Sequence, residues 1–165
     1  MAADFFIKID GIDGESTDSD HVKWIEVQSL SWGVQRNVGM DSYSATTGGT
    51  SSGRAILGTV NFSKAMDKAT TKLMEYCATG KHSPKAEIHF CQAGDGDKKH
   101  TYMKYTLENV VVASYDVGAG GDFRPNENIS LVYETIETGY KDLTNKGAGG
   151  AELKFKYSAS ENKKV

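Results

Sequence analysis

The chain has 165 residues, with 19 basic and 22 acidic side chains and a net charge of −3 at pH 7. That length points to a single domain, 1–165, able to bury roughly 70% of its unfolded surface. The balanced charge, with no basic stripe and no acidic block, argues against a nucleic-acid or polyelectrolyte partner.

Phe5, Ile7 and Ile9 alternate with Phe6 and Lys8, which predicts a first strand ended by Asp10-Gly11. Gly14 to Asp20 is small, acidic and hydroxyl-rich and reads as a solvated loop or turn. From Trp24 the chain turns apolar. Ile25 and Val27 occupy odd positions; Leu30, Trp32 and Val34 occupy even ones. The change of parity near Gln28–Ser29 predicts an inserted residue, a β-bulge. Leu30, Trp32 and Val34 then face a core. Ser29, Ser31, Gly33 and Gln35 face the other way, as a small, polar, nearly uncharged wall. Gly39 to Gly53 has no periodicity and is rich in Gly, Ser and Thr, a long mobile loop of the kind that is usually functional or disordered. Ala55 to Phe62 is another strand.

Ser63 to Thr79 carries the chain's good helical pattern, with Met66, Ala69, Leu73, Tyr76 and Cys77 on one stripe. Either Ser63 or Thr70 could cap it, and Gly80 stops it. Ala86, Ile88 and Phe90 alternate with Glu87, His89 and Cys91, and a turn at Asp95-Gly96 leads into a return strand from Tyr102 to Tyr115. A glycine-rich turn follows at Gly118–Pro125. Ile129, Leu131 and Tyr133 change parity before Ile136 and Tyr140, which predicts a second bulge near Glu134–Thr135. Leu153, Phe155 and Tyr157 form a last strand, and residues 160–165 a frayed, flexible tail. The sum is a mainly β protein: an antiparallel β-barrel of two sheets with one flanking α-helix.

Candidate chemistry is sparse. Gly49-Thr50-Ser51-Ser52-Gly53 fits G-x-S-x-G, but a nucleophile elbow needs a strand before the serine and a helix after it, and neither is predicted. Gly118-Ala119-Gly120-Gly121 could cradle phosphate only before a helix. His21, His82, His89 and His100 lack metal-ligand spacing and an acidic partner at helical distance, so each reads as a surface or capping residue. Cys77 and Cys91 read as buried free thiols rather than a disulfide. No catalytic, cofactor or metal site is expected. The first residues lack the basic and apolar regions of a signal peptide, and no run reaches the ~20 apolar residues of a membrane span. A protein made soluble in the cytosol is expected, with no membrane insertion and an exit route, if any, that uses no cleaved signal.

Gly14-Glu15-Ser16, Asp18, His21, Ile25-Glu26-Val27 and Ser31-Trp32-Gly33 together resemble the haemolysin-coregulated protein (Hcp) family, the inner-tube protein of the bacterial type VI secretion system. The likeness continues in order through Phe6-Ile7-Lys8-Ile9, Phe62-Ser63-Lys64, Asp67-Lys68, Leu73-Met74, Gly80-Lys81-His82, Leu107-Glu108-Asn109-Val110 and Glu127-Asn128. The family's usual proline after the Thr70 position is Thr71 here.

The resemblance implies a structural, non-enzymatic protein that closes into hexameric rings, which stack into a tube and carry effectors in the lumen. It implies a tip spike protein, a contractile sheath and effector proteins as partners, and a path from the bacterial cytoplasm to the exterior or a target cell. It puts Ser31, and by strand alternation Ser29, Gly33 and Gln35, on the inner wall. Met40, Tyr43, Gly48, Gly49 and Ser51 fall in a loop expected to make assembly contacts. After Tyr157 only a tail is expected, with no fused toxin domain. Two other readings carry tests. A β-sandwich binding module for a carbohydrate or protein ligand would use Trp24 or Trp32, and its fluorescence would shift with glycans. An esterase acting through Ser51 would react with a fluorophosphonate.

Overall fold

A computed structural model describes residues 3–38, 53–94, 99–121, 123–144, 147–148 and 150–165. The expected assembly residues Met40, Tyr43, Gly48, Gly49 and Ser51, and the turn at Asp95-Gly96, lie outside them. In chain order the elements are β1 (Ala3–Ile9), β2 (Ile25–Val27), β3 (Ser29–Ser31), β4 (Val34–Arg36), β5 (Ala55–Leu57), β6 (Val60–Ala65) and α1 (Thr70–Thr79). They continue with β7 (His82–Ala93), β8 (Lys99–Gly118), β9 (Asn126–Val132), β10 (Thr135–Tyr140), β11 (Leu143–Thr144), β12 (Gly147–Ala148), β13 (Leu153–Ser158) and β14 (Lys163–Lys164).

The strands form two antiparallel layers. The first runs β14-β13-β10-β8-β7-β1-β2, and the second runs β3-β6-β9 onto the far half of β8. Twenty residues long, β8 serves both. Its first half pairs with β7 and β10, its second half with β9. Where the halves meet, Asn109 takes a φ of 52°, one that asparagine tolerates better than most residues. Ile7, Ile9, Ile25, Ile88 and Leu107 of the first layer meet Phe62, Ile129 and Leu131 of the second, all essentially buried. At roughly 1.5–3 kcal/mol per fully buried large apolar side chain, this contact dominates the stability of the fold.

Both parity changes mark a strand leaving one layer for the other, not an inserted residue. At Gln28 the chain stops pairing with β1, and β3 pairs with β6; the Gln28 N–H donates to Ser63 O (2.8 Å) across the break. At Tyr133–Glu134 the chain likewise passes from β9, between β6 and β8, to β10, between β8 and β13. Because β2 pairs only with β1 and β3 only with β6, no residue of 25–31 is paired on both sides, and the hydrogen-bonded circuit is interrupted there. The two layers make an open, barrel-like sandwich rather than a closed barrel. Among the described residues, register shifts fall at Phe90/Cys91, between β7 and β8, and at Val112/Ser114, between β8 and β9.

The helix is shorter than the apolar stripe. Residues 63–65 pair with β9 as the end of β6, so only Thr70–Thr79 is helical. Asp67 starts it: its Oδ1 accepts from the Ala69 N–H (2.9 Å), and its own N–H donates to Thr70 Oγ1 (3.1 Å). Neither Ser63 nor Thr70 serves as the N-cap. Ala69, Leu73 and Tyr76 are buried against the core. Gly80 ends the helix at φ 66°, the left-handed conformation that glycine adopts without strain.

The chain end is not a frayed tail. After a turn, β14 pairs back on β13 (Tyr157↔Lys164, Ser158↔Lys163), and the Tyr157 hydroxyl donates to Asn162 Oδ1 (2.7 Å). Val34, expected in the core, is 52% exposed, because β4 pairs only with β5 in a separate two-stranded ribbon.

Candidate functional site: a polar sheet face

Alternation along β3, β6, β9 and the far half of β8 puts apolar side chains inward and small polar ones outward. The inward row is Leu30–Phe62–Ile129–Tyr115. The outward rows are Ser29–Ser63–Asn128–Asp116 and Ser31–Asn61–Ser130–Ser114, each read straight across the four strands. They line a shallow depression of about 220 Å³. Ser29 and Ser31 are exposed, as expected for a wall facing water.

Gly33 and Gln35 are exposed too, but they leave this sheet. Gln35 belongs to the β4–β5 ribbon opposite Ile56, and with Gly33 it borders a second, more open depression of about 400 Å³ that adjoins the first at Ser31 and Asn61. The polar rows also contain six residues that reading one strand alone does not find: Asn61, Ser63, Ser114, Asp116, Asn128 and Ser130. Their signal lies in the sequence as Asn61/Ser63 alternating with Val60/Phe62, and Asn128/Ser130 with Ile129/Leu131.

Part of the wall satisfies itself. The Ser29 and Ser63 hydroxyls share a hydrogen bond at 2.6 Å. The Ser130 hydroxyl donates to Asn61 Oδ1 (2.5 Å), which also accepts from Thr59 Oγ1 (3.2 Å). Behind the wall, Trp32 packs on Tyr105 and its Nε1–H donates to the Tyr133 hydroxyl, which donates to Gly58 O (2.8 Å).

Beneath the same sheet lies a buried ionic group. Lys64 Nζ sits 2.5 Å from Glu127 Oε2 and 2.7 Å from Asp67 Oδ1, with Lys64 and Glu127 both 0% exposed. The Tyr115 hydroxyl donates to Glu127 Oε1 (2.6 Å). Burial alone would raise the Glu127 pKa, but the bonds from Lys64, Tyr115 and Thr70 outweigh it and leave the carboxyl below its ordinary value. Burial and the Glu127 charge push the Tyr115 phenol upward. Every polar atom in this group has a partner, so it ties β6 and β9 to the start of α1 rather than awaiting a ligand.

The histidines depart most from the reading of the sequence. His21 is 2% exposed; its Nδ1 is 2.8 Å from Asp18 Oδ1, and its Nε2 is 2.9 Å from His89 Nδ1. Phe6 stacks on the His21 ring and Trp24 packs against both imidazoles. Gly14–Asp20 is a loop, as expected, with Glu15, Thr17, Ser19 and Asp20 exposed, but Gly14, Ser16 and the following His21 turn inward and are buried. Gly14 is required there, because a Cβ would strike the Trp24 carbonyl. Burial, then Lys104 and His21, lower His89 to about 4. Burial would raise Asp18, but bonds to Lys99, His21 and the Asp20 N–H bring it to about 2.

Cys91 lies 3.8 Å from His21 Nε2, but it is fully buried and its burial pushes the thiol pKa upward, the reverse of an activated nucleophile. Cys91 and the half-buried Cys77 are both free. His82 is a surface residue bonded to Asn109 Oδ1 (2.7 Å). Among the described residues no group of three or more His, Cys, Asp or Glu could hold a metal ion. Gly118–Gly121 leads to β9, not to a helix, and Ser51 lies outside the described residues. Trp24 and Trp32 are each half-buried by aromatic neighbours.

A mainly β fold of two antiparallel layers, with one flanking helix and a broad polar sheet face, is the class these features define. Residues 6–140 match the family described as "Type VI secretion system effector, Hcp". The chain is 34% identical over 164 residues to protein Hcp1 of Pseudomonas aeruginosa, covering 98% of each. It is similar to a solved type six secretion system protein (34% identity, TM-score 0.89, covering 99% of this chain and 100% of that one). It is also similar to Hcp1 of Salmonella typhimurium (30% identity, TM-score 0.80, all of both chains). The chain belongs to the Hcp family of the type VI secretion system.

Proposed function

We propose that the protein is an inner-tube subunit of a type VI secretion system. Six copies close into a ring, rings stack, and the polar face of β3, β6, β9 and β8 lines the lumen and holds effector proteins. Its partners are further copies of itself, a tip spike protein, a contractile sheath and the effectors. Its role is structural and needs no cofactor. It is made in the bacterial cytoplasm and leaves with the tube, to the exterior or a target cell, without a cleaved signal. Among the described residues no helix is long and apolar enough to cross a membrane.

The observation that carries this reading is the polar face itself: two rows of hydroxyl, amide and carboxyl groups across four strands in a chain of the Hcp family. Such a surface offers hydrogen bonds over a wide area without sticky apolar patches, which suits weak, reversible hold on varied cargo. Ring closure is supported by a second feature. Tyr140, Leu153 and Phe155 share the core-facing side of the first layer with Ile7 and Ile88, yet are 39%, 68% and 37% exposed. An uncovered end of a core face is the kind of surface that a heterologous, ring-closing contact buries.

Size-exclusion chromatography with light scattering, followed by negative-stain imaging of the pure protein, tests the proposal. Six-fold rings are expected at micromolar concentration, and a stable monomer there would overturn it. The segment containing Met40, Tyr43, Gly48, Gly49 and Ser51 is assigned to contacts between subunits or rings. Deleting residues 44–51 should leave the subunit folded and impair tube formation or secretion; unchanged assembly and secretion would remove that assignment.

A further inference from the structure

We propose that Asp116 gives the polar wall a preference for cationic segments, so that cargo is engaged through Lys or Arg side chains lying against it. The proposal deepens the lumen reading and rests on it.

The wall holds eight polar side chains in two rows, and one of them is ionisable. Four are occupied with each other: Ser29 with Ser63, and Asn61 with Ser130. Ser31, Ser114, Asn128 and Asp116 make no side-chain hydrogen bond or ion pair among the described residues. The groups left for a visitor are therefore two hydroxyls, an amide and a carboxylate. No Lys or Arg stands at an outward position of these four strands; Ala65, Asn126 and Gly118 continue the rows without charge.

Other carboxylates on or near these strands behave differently. Glu127 and Asp67 are bound to Lys64, and Glu15 is bound to Arg124 at 3.2 Å. Asp116 alone of these stands exposed and without a cationic partner, directly across the ladder from Asn128. A free carboxylate takes an ammonium or a forked guanidinium by charge-assisted hydrogen bonds, and the neighbouring amide oxygen can accept a further N–H. An anionic segment meets uncompensated repulsion at the same place.

The setting decides the strength. The site is open to water, where salt limits the reach of a charge to about 8 Å at physiological ionic strength, so Asp116 acts by contact and not by steering from a distance. One exposed pair is weak, but the same carboxylate repeated around a ring acts several times on one carried chain. The outcome is selection with release, not tight binding.

The test uses the assembled full-length protein and three fluorescein-labelled, unstructured peptides of equal length: one lysine-rich, one neutral and Ser/Gly-rich, one glutamate-rich. Anisotropy titrations at low and physiological salt should show the lysine-rich peptide bound about three- to tenfold more tightly than the glutamate-rich one, with the gap narrowing as salt rises. Asp116→Asn should abolish that preference and Asp116→Lys should reverse it, with melting temperature and ring size as folding controls. The proposal is overturned if wild type binds both charged peptides equally, or if Asp116→Asn keeps the wild-type preference. Ser31→Tyr separates this from the reading beneath it. It should weaken all three peptides alike; if it binds all three as wild type does, or if wild type binds none, the sheet face is not the carrying wall and both ideas fall.

Discussion

Ser31 and Trp32 are adjacent in the chain and point to opposite sides of the second layer. Ser31 is exposed on the polar wall; Trp32 packs on Tyr105 and reaches Tyr133 through its indole N–H. Ser31→Tyr should change stability by about 0.5 kcal/mol or less, as surface substitutions do. Trp32→Ala removes a large side chain from the edge of the core and should cost roughly 3 kcal/mol. Thermal melts of both variants, with ring sizing and effector co-purification, check the pair. Ser31→Tyr should fold, form rings and lose cargo, whereas Trp32→Ala should lose rings through unfolding. The reverse outcome would show the two faces exchanged.

His89 makes a pH prediction with a definite sign. Its folded value of about 4 lies below the ordinary 6.5, so between those values the unfolded chain binds the extra proton. Stability is therefore fully present above pH 6.5 and falls as pH drops toward 4. Asp18, at about 2 against 3.8, adds a further loss between those two values. His89→Asn should flatten the upper part of the curve and leave the lower part; denaturant melts across this pH range would reveal it. A wild-type curve that is flat from pH 6.5 to 4 would contradict the buried imidazole pair.

At the scale of the element, parity and partner choice explain each other. Local sequence marks where apolar side chains change from odd to even positions, near Gln28 and near Glu134. It does not say whether the cause is an inserted residue or a strand that changes layer, because both turn the side chains over. The helix start is a second example. Met66 fits the helical stripe, yet residues 63–65 are held in β6 by pairing with β9, and Asp67 opens the helix after them. Long-range pairing overrides local periodicity there. The helix end obeys local rules: Gly80→Ala places a Cβ at φ 66° with no neighbour to strike, so it should cost only about 1–2 kcal/mol. In a chain of this size that corresponds to a drop in Tm of a few degrees, roughly 2–4 °C per kcal/mol, with unchanged ring size.

At the scale of the whole molecule, the exposed strip of Tyr140, Leu153 and Phe155 is the surface that assembly should cover. Leu153→Asp and Phe155→Ser should leave the far-ultraviolet spectrum unchanged, because these side chains lie beyond the buried core. They should shift the protein from ring to monomer in light scattering. Rings of undiminished stability in both variants would send the closing contact elsewhere.

What the sequence determined by itself is what alternation and ordered local motifs encode. It determined a mainly β chain in two layers, a helix ending at Gly80, the opposed faces of Ser31 and Trp32, and the family. Those depend on side chains only a few positions apart. What the tertiary structure decided depends on which strands lie side by side. Only pairing could show that Ser31, Asn61, Ser130 and Ser114 form one row, that His21 meets His89 across 68 positions, and that the chain end folds back on β13. Pairing also left Gln35 in a ribbon apart from the wall and Val34 in solvent. The physical reason is one of range: a strand's alternation is set within its own backbone, but burial and partnership are set by whatever the rest of the chain brings to each face.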